Sequence, residues 1–149
     1  MSGLRERWPL LLAALWWGGI SALSFLAVPL AFAHFGNPAV AGPFAARLFQ
    51  AQSWFSVAAA LALLLWGRAR RGQPAHESIS SGLLPWLLLA ALAGLLQEFG
   101  VAERILTARA RGVDVRTWHA VGSALVLLQW LSALGALGYL SRRGDRVPG

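Results

Sequence analysis

Residues 8–32 read WPLLLAALWWGGISALSFLAVPLAF, and no charged side chain occurs anywhere between Arg7 and Arg47. An α-helix needs about 20 predominantly apolar residues to cross roughly 30 Å of bilayer hydrocarbon, and this stretch exceeds that length. A helix of a soluble protein would carry a polar face, and this one has none. Lipid is therefore the solvent that explains it. Arg5 and Arg7 ahead of the run, with AFA at residues 31–33, imitate a secretory signal and its cleavage site, but the run is longer than the about 7 to 15 apolar residues of such signals. A retained first span is the expectation.

Outward from this stretch the same pattern recurs. FQAQSWFSVAAALALLLW, residues 49–66, supplies a second span, closed by Arg68, Arg70 and Arg71. The loop GRARRGQPAHESISSG breaks the pattern with Pro74 and its Gly and Ser residues. A third span begins near Leu83 and runs into LLQEFGVAERIL, residues 95–106. TWHAVGSALVLLQWLSALGALGYL, residues 117–140, is the fourth, closed by Arg142 and Arg143. The predicted fold is all-α, a single integral-membrane four-helix bundle over residues 1–149 with spans at about 9–34, 46–67, 82–106 and 117–141. Trp8, Trp66, Trp86, Trp118 and Tyr139 fall near span ends, where an aromatic belt belongs.

Composition agrees. Hydrophobic residues make up 57% of the chain and charged ones 13%, well on the apolar side of a soluble domain. There is no Cys, which removes disulfides, thiolate metal sites and redox thiols from consideration. The net charge of +7 comes from Arg clusters beside apolar runs, without a basic face or a nucleic-acid motif, so nucleic acid is not an expected partner. Membrane orientation accounts for these clusters better. With four spans both termini share a side, which holds Arg5, Arg7, Arg68, Arg70, Arg71, Arg142, Arg143 and Arg146, against Arg47, Arg104, Arg109, Arg111 and Arg116 on the other. The positive-inside rule then predicts a multi-pass inner-membrane protein with both termini cytoplasmic. The Arg clusters also suit anionic lipid.

Polar residues inside the spans are the candidate site. The helix directions place His34, Arg47, Gln50, Gln52, Gln97, Glu98, His119 and Ser123 in one layer beneath the surface opposite the termini, and leave the other half of the bundle almost without polar groups. Glu98 shares a helical face with Gly94, Ala91 and Ala90, and His119 with Gly122, Ser123 and Val126, so both are expected to point inward. Gly18 and Ala22 form a small-xxx-small contact surface, and Pro29 is expected to kink the first span beneath His34. A structural account gives Arg47 and Glu98 a buried ion pair and His119 a helix-capping bond. The functional accounts are a ligand, haem or metal site built on His119 with His34, or a proton relay or acid–base pair using Glu98. No nucleophile motif, phosphate loop or zinc-protease motif points to an enzyme.

Three segments, LWWGGISALSFLAVPLAF, AGPFAARLF and RTWHAVGSALVLLQW, resemble the transmembrane protein 205-like group of small four-helix membrane proteins. The matching positions are Trp17, Gly18, Gly19, Pro29, Phe32, Ala41, Gly42, Phe49, His119 and Ser123; Trp118 stands where that pattern has Leu, and no Pro follows the third span. The resemblance implies a membrane bundle of uncharacterised function, associated in its eukaryotic members with resistance to platinum drugs. A more distant similarity to copper-resistance D-like membrane proteins implies a role for helix-borne His residues and raises His119 to the best metal-ligand candidate. The leading expectation is a non-enzymatic module that binds or passes a small ligand or metal ion, through His119, Glu98, Gln97, Gln50, Arg47, His34 and Ser123. No single cofactor is implied; a haem or a metal ion stays open. The alternatives are an accessory or scaffold subunit of a membrane complex and a haem-binding membrane protein. The bilayer is the expected partner, with a second copy or another membrane protein as further ones.

Overall fold

The structure, a computed structural model, describes residues 2–70, 74–102, 104 and 115–144. Among these the chain is helical apart from Gly36, Asn37 and Arg70. Helix α1 (Ser2–Ala22) passes through a π-helical turn at Leu23–Ala27 into α2 (Val28–Phe35). Helix α3 (Pro38–Ala69) is the second span. Helix α4 (Pro74–Leu95) continues into a second π-helical turn at Leu96–Ala102, and α5 (Val115–Gly144) is the fourth span. The stretches apolar enough to cross a bilayer are Arg7–Phe35, Pro38–Ala69, Gly82–Val101 and Arg116–Arg142. The third, at 20 residues, is about 30 Å long and just matches the hydrocarbon thickness. The chain is thus a multi-pass membrane protein. The predicted end of the third span, residues 103 and 105–106, lies outside the described residues.

The kink expected at Pro29 takes the form of a π-helical turn. Proline has no amide hydrogen and its ring crowds the carbonyl four residues back, here Phe25. The wider turn, in which the Val28 amide donates to the Leu23 carbonyl, accommodates that defect without ending the helix. The span then stops sharply. Gly36 has φ of 60°, Asn37 accepts the Ala39 amide at 2.9 Å through its side chain, and Pro38 opens α3. Left-handed Gly, capping Asn and first-turn Pro are the stop and start chemistry that helix ends require. The second span therefore begins eight residues earlier than the expected 46, and Pro43 is carried within it.

The spans pack as a ring, the first against the second and fourth and the third against the second and fourth. Trp8 meets Trp66 edge to face at one end, where α1 begins and α5 ends. The core is made of small residues and a few large ones, Ala13, Ala59, Ala60, Ala90, Ala133 and Ala136 around Trp16, Ile20, Leu63 and Leu87. Large apolar side chains face outward on all four spans, including Leu15, Phe25, Leu65, Leu92, Phe99 and Leu127. In water so much exposed apolar surface would drive aggregation. In lipid it is solvated, and close packing of small residues holds the helices together.

Gly94 shows how close that packing is. A Cβ there would lie 2.9 Å from a Val57 methyl and 3.1 Å from the Ser53 carbonyl oxygen, which is backbone and cannot swing aside. By contrast Gly18 has nothing within 4 Å and Ala22 is exposed, so the small-xxx-small surface of the first span is not used inside the chain. Gly94→Ala is expected to lower stability by roughly 1–3 kcal/mol through overpacking, less a gain of up to about 1 kcal/mol in helix propensity. Gly138→Ala, at a position with nothing within 4 Å, is expected to be neutral or stabilising. Unfolding midpoints in detergent measure both; equal effects at the two positions would contradict the packing.

Candidate functional site

Arg47 and Gln50 lie three residues apart on α3 and so share a face. The Arg47 guanidinium donates from Nη1 to Gln50 Oε1 at 2.9 Å, and Gln50 Nε2 donates across the helix interface to Glu98 Oε1 at 2.5 Å. Arg47 is exposed, whereas Gln50 and Glu98 are half-buried. Glu98 belongs to the second π-helical turn. A turn closed by i to i+5 bonds holds one extra residue, which brings neighbours closer together around the axis. Gln97 and Glu98 both turn inward there, Glu98 toward the second span and Gln97 toward the fourth. The Gln97 amide packs over Gly122, whose missing side chain leaves room for it: a Cβ at Gly122 would sit 3.5 Å from Gln97 Nε2.

The sequence expectation of a direct Arg47–Glu98 ion pair is thus met only through an intermediary. Gln50 relays between them, satisfies Glu98 Oε1, and leaves Glu98 Oε2 buried without a hydrogen-bond partner. Gln97 Oε1 is buried and unpartnered as well.

The other half of the bundle is not as empty as the sequence reading expected. Trp16 Nε1 donates to Ser56 Oγ at 3.0 Å, and Gln52 Nε2 donates to the same oxygen at 3.2 Å, all three side chains being buried. Trp130 Nε1 donates to Ser21 Oγ at 2.8 Å, which in turn donates to the Trp17 carbonyl. Beside this satisfied network run Ser53, Gln129 and Ser132, each at most 2% exposed, with Ser53 Oγ, Gln129 Oε1 and Ser132 Oγ unpartnered. A Cβ at Gly94 would lie 3.8 Å from Gln129 Oε1, which places Gln129 level with Ser53. Ser132 is one turn further toward the termini, about 4.5 Å deeper. Polar groups therefore run from Arg47 past the middle of the membrane. Gln129, Ser132, Ser53 and Ser56 were the residues that sequence reasoning missed. Their signal was present: Ser53 with Ser56 and Gln129 with Ser132 are both three apart and line one helix face.

His119, Ser123 and His34 are all exposed and stand outside this cluster. His119 and Ser123, one turn apart, share a face; Gly122, about 100° around the helix from Ser123, is the residue that turns inward. His34 packs edge to face on Phe35, which packs on Phe44. Among the described residues no group of three His, Asp or Glu side chains is placed to hold a metal ion. The structure thus brings Arg47, Gln50, Gln97 and Glu98 together and leaves the two His residues apart from them.

A ring of four membrane spans with a polar interior defines a small multi-pass membrane protein. Residues 11–114 match the family described as a domain of unknown function, DUF4149, and the chain belongs to that family. No curated protein and no solved structure matches it. The match gives no support to the likeness to transmembrane protein 205 or to copper-resistance D-like proteins. It takes in Arg47, Gln50, Gln97 and Glu98 and ends before His119.

The two polar sets differ in what they contribute. Ser56 accepts two buried donors, so Ser56→Ala is expected to cost about 1–3 kcal/mol, with the lower end more usual for helices in lipid. Ser53→Ala removes an oxygen that bonds nothing and is expected to change stability by less than about 0.5 kcal/mol. Comparable losses in thermal unfolding of the two variants would erase this distinction.

Proposed function

We propose that the chain is a non-enzymatic membrane module that binds or passes a small polar ligand or ion at the layer formed by Arg47, Gln50, Gln97 and Glu98. One observation carries the reading: Glu98, in a membrane span, is held by Gln50 on one oxygen and keeps the other buried and unpartnered. Ionisable groups inside membrane bundles usually face a wet cavity or a pathway, because burying them costs several kcal/mol otherwise. The row through Ser53, Gln129 and Ser132 extends that layer inward. His119, His34 and Ser123, exposed on the same half of the molecule, belong to this reading only as peripheral contacts. A haem or transition-metal role would need further donors that the described residues around His119 do not supply. We place the termini in the cytoplasm of a bacterial cell and the Glu98 layer toward the periplasm, on the Arg distribution.

The absence of Cys makes the reading directly testable. Gln97→Cys and Gln50→Cys are expected to react with a charged, membrane-impermeant methanethiosulfonate applied to the face opposite the termini. Leu92→Cys, on the lipid-facing side of α4, is expected not to react. If Gln97→Cys reacts no faster than Leu92→Cys from either face, the layer is dry structural packing and the reading fails. A carboxy-terminal fluorescent-protein fusion that fluoresces, paired with an inactive alkaline-phosphatase fusion at the same point, is the outcome expected of cytoplasmic termini.

A further inference from the structure

We infer that the occupant of the Glu98 layer is a small monovalent cation of the alkali-metal type, an inference that rests on the reading of this layer as a ligand site. Four observations converge on it. First, between the levels of Glu98 and Ser132 on the second, third and fourth spans the unpartnered buried side-chain atoms are Glu98 Oε2, Gln97 Oε1, Ser53 Oγ, Gln129 Oε1 and Ser132 Oγ, all oxygens, while on the first span Ser24 Oγ and the indole Nε1 of Trp17 are unpartnered as well. Oxygen lone pairs attract a cation, and the Glu98 carboxylate at the head of the row repels an anion. Second, the donor set is hard. Carboxylate, amide and hydroxyl oxygens bind alkali and alkaline-earth ions, while first-row transition metals favour imidazole and thiolate. The row holds neither.

Third, the charge matches +1: Glu98 is the one acidic side chain in the row, whereas calcium sites recruit several carboxylates. Fourth, Glu98 has no direct counter-charge among the described residues. Arg47 spends its described hydrogen bond on Gln50, and Gln50 presents an amide rather than a charge to the carboxylate. A cation at Oε2 supplies what the helix contacts do not, and Gln97 Oε1, from the adjacent residue, offers a neutral oxygen beside it.

The same geometry suggests how the ion is handled. Carbonyl-type and hydroxyl oxygens replace a hydration shell stepwise, each site weak enough to leave. Ser53 and Gln129 share a level below Glu98, and Ser132 lies one turn further. The row therefore provides a second and a third oxygen station toward mid-membrane, with the charged one at the mouth.

The test uses the full-length protein in lipid nanodiscs and the apolar reagent dicyclohexylcarbodiimide, which modifies carboxyl groups buried in membranes. Modification of Glu98 is followed by peptide mass spectrometry in sodium, potassium and choline chloride at equal ionic strength and pH. Sodium or potassium is expected to slow modification of Glu98 about tenfold relative to choline, as a site with Kd near a tenth of the cation concentration requires. Gln97→Leu is expected to weaken that protection, read as the ratio of the rates in choline and in sodium or potassium for the same variant. Equal rates in all three salts overturn the cation inference, and if Gln97→Cys still reacts with the methanethiosulfonate the broader ligand-site reading survives. Absence of Glu98 modification in every salt, with an unreactive Gln97→Cys, overturns both.

Discussion

The contact on which the other features depend is the approach of the second and third spans at Gly94. Lipid provides no hydrophobic force between helices, so spans associate only where their backbones come close enough for dispersion and polar contacts to add up. With no side chain at Gly94, the Ser53 carbonyl oxygen comes within 3.1 Å of where a Cβ would be. That closeness sets the register of everything above it. One turn nearer the far surface, Gln50 reaches Glu98; at the same level, Gln129 from the fourth span comes within reach of Gly94. A bulkier residue at this point would separate the polar rows before it disturbed the apolar rim.

This constraint also explains an interior that inverts the soluble pattern. Many leucines lie outside and alanines and serines inside, with Trp16 as the largest fully buried side chain and Leu63, Leu83 and Leu87 among the few leucines within. Indole is tolerable there because its N–H finds Ser56, and Ser56 also serves Gln52. A bundle of small residues has room for such hydrogen bonds and loses little dispersion by making them. A leucine-filled core would have neither the space nor the partners.

Much of this was legible in the residues. The absence of charge from Arg7 to Arg47, and the Arg clusters after Trp66 and Tyr139, define spans by length and solvation alone, and those are one-dimensional properties. The layer of Arg47, Gln50, Gln97 and Glu98 was readable because depth follows from counting residues along a helix. Rotation about the helix axis was not. His119, Gly122 and Ser123 were grouped on one inward face, yet a helix turns about 100° per residue and only one side of that group can face in. Gly122 is that side, and His119 with Ser123 faces out. The π-helical turn at Leu96–Ala102 alters rotation again, and it brings Gln97 and Glu98 inward together in a way that ideal periodicity does not anticipate. The early start of the second span is a different case: Gly36, Asn37 and Pro38 spell a helix stop and start, and α3 carries Pro43 inside it.

The relay through Gln50 is informative because a simpler arrangement was available. An arginine and a carboxylate in direct contact pair two donors with two oxygens and close the site. Here the guanidinium is one residue removed, so its attraction acts over a longer distance and falls accordingly. Glu98 keeps one oxygen uncommitted at a place where an uncommitted oxygen is costly. A purely structural layer would gain by moving Arg47 onto Glu98, or by replacing both with apolar residues of similar volume. The bundle instead holds the carboxyl group with a neutral amide, which orients one oxygen and leaves the other buried without a hydrogen-bond partner.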